Sequence, residues 1–222
     1  MSARRIGSAM LGALALLGGA ATVAAGQRSV QGGVQIGRAD HRVVASDALV
    51  AASGTFFGAA VDLTIDPRFD IHGEVSGGHL ATGPATSLDD HDLAEAQLRA
   101  GMRLRPWLTV QTALTMRSYA NSLARQHWTT WRVGAEARVP LGFETVGAVL
   151  RGYWIPVASV SGLPQPDVAL AAAVGVEWRG RRLGVSALYS FERYDFPTQS
   201  GTRRLEELAT FRVGVSLHRS PF

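Results

Sequence analysis

From residue 55 onward, apolar side chains recur at every second position, the period of a strand whose two faces meet different surroundings. Phe57, Ala59, Val61, Leu63 and Ile65 share one face, with Asp62 and Thr64 on the other. After Asp66-Pro67-Arg68 the alternation resumes: Phe69, Ile71, Gly73 and Val75 are set against Asp70, His72, Glu74 and Ser76. The next hairpin places Ala94 to Leu104 (even numbers) against Glu95, Gln97, Arg99, Gly101 and Arg103. Past Arg105-Pro106 come Leu108, Val110, Thr112, Leu114 and Met116, against Thr109, Gln111, Thr115 and Arg117.

A third hairpin runs from about Thr129 to Ile155 around Pro140-Leu141-Gly142, with Thr130, Arg132, Glu136, Arg138 and Arg151 polar. A fourth spans about Val168 to Tyr194 around Arg179-Gly180-Arg181. A closing strand, Leu205 to Leu217, sets Ala209, Phe211, Val213 and Val215 against Glu206, Thr210 and Arg212. Ser29 to Arg38 supplies a further strand. The pattern therefore predicts an all-β chain of about ten antiparallel strands, with eight as the alternative count. Turns near residues 67, 105, 141 and 180 are short, whereas the links at 39–54, 81–92, 120–127, 156–167 and 196–204 are long. Alternating short turns and long loops are expected of a transmembrane β-barrel.

Aromatic side chains cluster at strand ends. Phe69, Trp107, Phe143 and Trp178 stand beside the short turns; Phe56, Tyr119, Trp128, Trp131, Trp154, Tyr194 and Phe196 stand near the long loops. This spacing predicts two interfacial girdles. The competing reading is a soluble periplasmic β-sandwich, which also alternates, but a sandwich has no need to sort its aromatics to strand ends.

Composition narrows the choice. The chain has 222 residues, no Cys and a net charge of +4, and all of its 22 basic residues are Arg. Thiolate and Schiff-base chemistry are thereby excluded, and every basic group is a permanently charged, bidentate donor. No basic stripe is interleaved with aromatics, so nucleic acid is not an expected partner. Residues 1–25 begin Met-Ser-Ala-Arg-Arg, continue as an Ala/Leu/Gly/Val run and end in Val23-Ala24-Ala25. That is the three-part form of a bacterial secretory signal peptide. The mature barrel then comprises residues 26–222.

The signal, the amphipathic hairpins, the girdles and the terminal Phe222 together give a chain that resembles the bacterial outer-membrane β-barrel proteins as a class. The resemblance implies an outer-membrane location, contact with lipid and lipopolysaccharide, and assembly by the barrel-assembly machinery. One feature departs from the class: Leu217, Val215 and Val213 are out of phase with Phe222, and Pro221 intervenes.

In such a barrel the polar faces become the lumen. Its expected lining includes Asp62, His72, Glu74, Glu95, Arg99, Arg103, Arg117, Arg132, Glu136, Arg138, Arg151, Glu177 and Arg212, with Asp62 opposite His72 and Glu95 opposite Arg117. Two outcomes are open. Either the charges form a narrow pore for small polar solutes, or they interlock and fill the barrel. Asp89, Asp90, His91 and Asp92 form the densest group of possible metal ligands, without the spacing of a known Ca²⁺ loop. Omptin-type proteases are also ten-stranded, but paired Asp and Asp–His groups on facing rims are not evident, nor is a strand-borne His-x-Ser. The expected function is non-enzymatic and cofactor-free, with a barrel enzyme acting on lipid or peptide as the alternative.

Overall fold

The computed structural model describes residues 29–45, 48–83, 90–121, 124–142, 145–199 and 201–219, with side chains as far as Leu217. The signal segment 1–25, Phe143, Asp89, Pro221 and Phe222 lie outside these residues. Ten strands form one closed antiparallel barrel: β1 (Ser29–Ala45), β2 (Ala48–Asp66), β3 (Phe69–Thr82), β4 (His91–Arg105), β5 (Leu108–Ala120), β6 (Arg125–Pro140), β7 (Val146–Val160), β8 (Val168–Arg179), β9 (Leu183–Gln199) and β10 (Thr202–Arg219). β1 pairs with β10 from Val30↔Arg219 to Ala45↔Arg204, so no edge is left open. The strands are tilted: pairing followed once around the barrel from Leu63, by way of Ile71, Thr112, Trp154 and Glu207, returns to β2 at Ala51.

The short turns form for local reasons. At Asp66–Phe69, Pro67 sets its own φ, and the Asp66 carboxylate accepts the backbone N–H groups of Arg68 (2.6 Å) and Phe69 (3.1 Å). Gly142 takes a φ of 80° in the β6–β7 connection, where a side chain would be strained.

The strands run from 12 residues in β8 to 19 in β2, beyond the roughly 9–11 tilted residues that cross a bilayer. The excess lies at the end away from the short turns. There the predicted loop 39–54 is instead strand, β1 reaching Ala45 and β2 starting at Ala48. The predicted 156–167 link likewise begins with strand: β7 continues to Val160 through a register shift opposite Trp131/Val133 that accommodates Pro156. A bulge of this kind breaks the two-residue period and tolerates proline's missing N–H.

Above the membrane the two faces exchange character. Along β9, Tyr189 faces lipid, whereas Arg193 faces water and Tyr194 and Phe196 point inward. Five residues assigned to the outer girdle from sequence therefore belong elsewhere. Phe56, Tyr119, Trp128, Tyr194 and Phe196 are buried inside the barrel, in a cluster with Leu80, Leu93, Ile155, Val160 and Leu208. The outer lipid-facing aromatics are Phe57, Trp131, Trp154, Tyr189 and Phe211; Phe69, Trp107 and Trp178 are exposed near the short turns.

Candidate functional site

The interior has three storeys. A cavity of about 680 Å³ opens at the short-turn end, among Ser29, Trp107, Trp178 and Arg181. Above it is a chamber of about 70 Å³, walled by charged side chains. Above that lies the apolar cluster, which fills the outer part of the lumen. Asp62, His72, Glu74, Glu95, Arg99, Arg103, Arg117, Arg132, Glu136, Arg138, Arg151, Glu177 and Arg212 all line the cavity, the chamber or both.

Both cross-strand pairs expected from the hairpin register are present. Asp62 pairs with His72 at 2.7 Å to Nδ1, and Arg117 Nε donates to Glu95 at 2.5 Å. The longer contacts could not be read from neighbouring strands. Glu192 on β9 accepts Arg117 Nη2 at 2.9 Å and Arg132 Nη1 at 2.7 Å, bridging the barrel to β5 and β6. The Tyr194 hydroxyl donates to the same carboxylate at 2.8 Å. Glu74 accepts Arg212 (2.6 Å) and Gln35 (2.7 Å), and Glu136 accepts Arg138 and Arg151, each at 2.5 Å. Charges so far from bulk water are tolerable only when paired in this way.

The open space has a source in the sequence. The inward positions of β8 before Glu177 are Ala169, Ala171, Ala173 and Gly175, which leave a low wall opposite the long arginines. Tyr153 crosses part of the gap and donates to Gln111. Of this strand the sequence placed only Glu177 in the lumen, and the smallness of its other inward positions carried no signal until the barrel closed.

A second polar group, absent from the sequence reading, lies at the top of the apolar cluster. His41 Nδ1 is 3.3 Å from His91 Nε2, its Nε2 is 3.4 Å from Glu206, and its ring stacks on Tyr119 with centroids 4.3 Å apart. The sequence pairs only His72 with a carboxylate, and the register that joins β1 to β10 is not visible there.

The acidic segment does not converge. His91 turns inward to His41, whereas Asp92 (2.9 Å) and Asp90 (3.6 Å) flank the exposed His79, and Asp90 also accepts the Thr82 N–H at 2.8 Å. Hydrogen bonding to Asp92 raises the His79 pKa above its ordinary value, with Asp90 contributing in the same direction. Among the described residues no group of three His, Cys, Asp or Glu side chains is placed to hold a metal.

No family model matches the sequence, and no curated protein is similar to it. The fold is nevertheless well represented among solved structures. The outer membrane protease OmpT from Escherichia coli is similar over 90% of this chain and 99% of its own, with a TM-score of 0.60 at 9% identity. The β-domain of the Bordetella autotransporter BrkA (84% and 98% covered, TM-score 0.47, 15% identity) and the NalP translocator domain from Neisseria meningitidis (95% and 95%, 0.43, 13%) are more distant. The fold is that of the bacterial outer-membrane β-barrels. With a closed barrel and an apolar, girdled exterior, this chain is an outer-membrane protein.

Proposed function

We propose that this protein is a non-conducting, non-enzymatic outer-membrane barrel. Its outer half is a solid, water-exposed structural element, and its membrane half encloses a blind, charged cavity open to the periplasm. The observation that carries this reading is the apolar cluster around Trp128, Tyr194 and Leu80, which occupies the outer lumen where a pore would need water. A packed apolar core excludes water and ions as a protein interior does. The ion-pair belt beneath it, centred on Glu192, narrows the passage further.

The periplasmic direction of the cavity follows from the class, in which short turns and both termini face that side. Above the outer girdle, Arg193 and Glu207 pair at 3.7 Å, and Arg38 lies 3.9 Å from Asp40 on the external face. These guanidinium groups suit the phosphates of lipopolysaccharide. Lipopolysaccharide and the barrel-assembly machinery are the partners that this reading implies.

A catalytic reading has one observation in its favour. OmpT is a protease, and here His79 is held by Asp92 and Asp90 on the outer rim. That group faces outward from a strand and not into a cleft, which favours the non-catalytic reading. Planar-bilayer recording tests the proposal. The purified barrel is expected to give no unitary steps, and reproducible steps altered by Arg132→Gln would replace it with a pore.

A further inference from the structure

The chamber between the cavity and the apolar core has more positive charge than its own carboxylates neutralise. Five guanidinium groups line it against three carboxylates. Glu136, which engages Arg151 from the cavity below, narrows the difference, and the cation left over is Arg99. Arg99 is 4% exposed and its Nε has no hydrogen-bond partner. Among the described residues no carboxylate lies within ion-pair distance of it. Asp62 and Glu136 lie near enough for Arg99 to act on them electrostatically, but His72 holds the first and Arg138 with Arg151 the second.

Arg132 has a matching deficit. Its Nη1 binds Glu192 while its Nη2 is buried without a partner. The two arginines lie on one level: Arg99 pairs with Ala113, and Ala113 with Arg132. The intervening residue, Ala113, carries only a methyl, and both arginines line the same chamber. A buried guanidinium with unmet N–H groups is costly. Water would meet the hydrogen bonds and leave the charge; an anion meets both.

We infer that this chamber seats the phosphate group of a small periplasmic phosphate monoester. A phosphate offers oxygens in several directions to two guanidinium groups from different strands, whereas a carboxylate offers two in one plane. The chamber's roughly 70 Å³ suits such a headgroup, and the contiguous cavity of about 680 Å³ takes the organic remainder. Glu74, Arg99, Arg151 and Arg212 line both spaces and form the threshold. The site rests on the closed-lumen reading only for its route, since the ligand enters and leaves by the short-turn mouth.

The test is calorimetric titration of the full, detergent-folded chain at constant ionic strength with inorganic phosphate, glycerol phosphate and acetate. Saturable binding of both phosphates, with acetate at least tenfold weaker, is expected. Arg99→Gln should weaken phosphate binding at least tenfold while the protein stays folded, because Arg99 supports no ion pair. Arg68→Gln, exposed in the β2–β3 turn and lining neither space, should change it less than twofold. Absence of saturable phosphate binding, acetate binding as tight as phosphate, binding of inorganic phosphate but not glycerol phosphate, or full binding by folded Arg99→Gln would each overturn the assignment. A conducting barrel that still bound phosphate through Arg99 would refute the closed lumen and leave this site standing.

Discussion

Phe56 and Phe57 are adjacent in the chain and face opposite worlds: Phe56 is 4% exposed inside the barrel, and Phe57 is 53% exposed on the lipid face. Phe56 is seated on glycine. A methyl at Gly37 would come within 2.6 Å of its ring, and one at Gly78 within 2.7 Å of its Cα. Phe56→Ala should cost about 3–5 kcal/mol, the usual loss for a buried aromatic. Phe57→Ala should cost a fraction of that, and Gly37→Ala should behave like Phe56→Ala. Denaturant unfolding in lipid vesicles measures all three.

The lipid face gives a sharper pair. Leu98 points outward in the middle of β4, while its neighbour Gln97 points inward and donates to Thr115 at 3.1 Å. Leu98→Arg should destabilise the barrel by roughly 2–4 kcal/mol in a bilayer. Thr109→Arg, which would face the large cavity beside Glu136 on the neighbouring strand, should be tolerated. Equal costs in the same unfolding assay would place the faces wrongly.

Glu192 is the keystone of the charged belt, since Arg117, Arg132 and Tyr194 all converge on it. Glu192→Gln keeps the shape and removes the charge, leaving Arg132 without a carboxylate and Arg117 with Glu95 alone, at a cost of about 3–5 kcal/mol. Glu177→Gln should be much milder, because Arg179, its nearest partner, is half exposed. The temperature at which the unheated, compact gel species converts to the extended one ranks the two variants.

These sites show what the sequence revealed and what it hid. Ten strands, the short turns and the inward set from Asp62 to Arg212 follow from period-two alternation, because lipid and lumen impose opposite polarity on neighbouring residues. Position at the strand ends, read as an outer girdle, misplaced Tyr119, Trp128 and Tyr194. Above the membrane, water lies outside and the core inside, so the polarity of each face reverses while the period persists. The reversal has no local marker; it shows only once Phe57 and Trp131 fix the edge of the bilayer. Glu192's two arginines come from strands three and four positions away around the barrel, a contact set by closure and not by hairpin register.

His79 offers a pH signature outside the membrane. Its hydrogen bond to Asp92 favours the protonated ring, so its folded pKa lies above the unfolded one. Its contribution to stability is therefore complete below the ordinary histidine pKa and lost as pH rises through the raised value. The His79 ring protons should titrate at higher pH than those of a free histidine, and Asp92→Asn should move that midpoint down. An unchanged midpoint in the variant would contradict the pairing.

The central claim is that the outer lumen is dry and the cavity opens only to the periplasm. The chain contains no Cys, so a single introduced cysteine reports alone. Membrane-impermeant maleimide applied to intact cells should label Ser159→Cys, on the water-facing side of β7, and leave Ala158→Cys, which is 2% exposed inside the cluster, unmodified. Arg103→Cys, at the cavity mouth, should react only when the periplasmic side is opened. Labelling of Ala158→Cys or Arg103→Cys from outside intact cells would mean a wet, continuous lumen and would contradict the closed barrel.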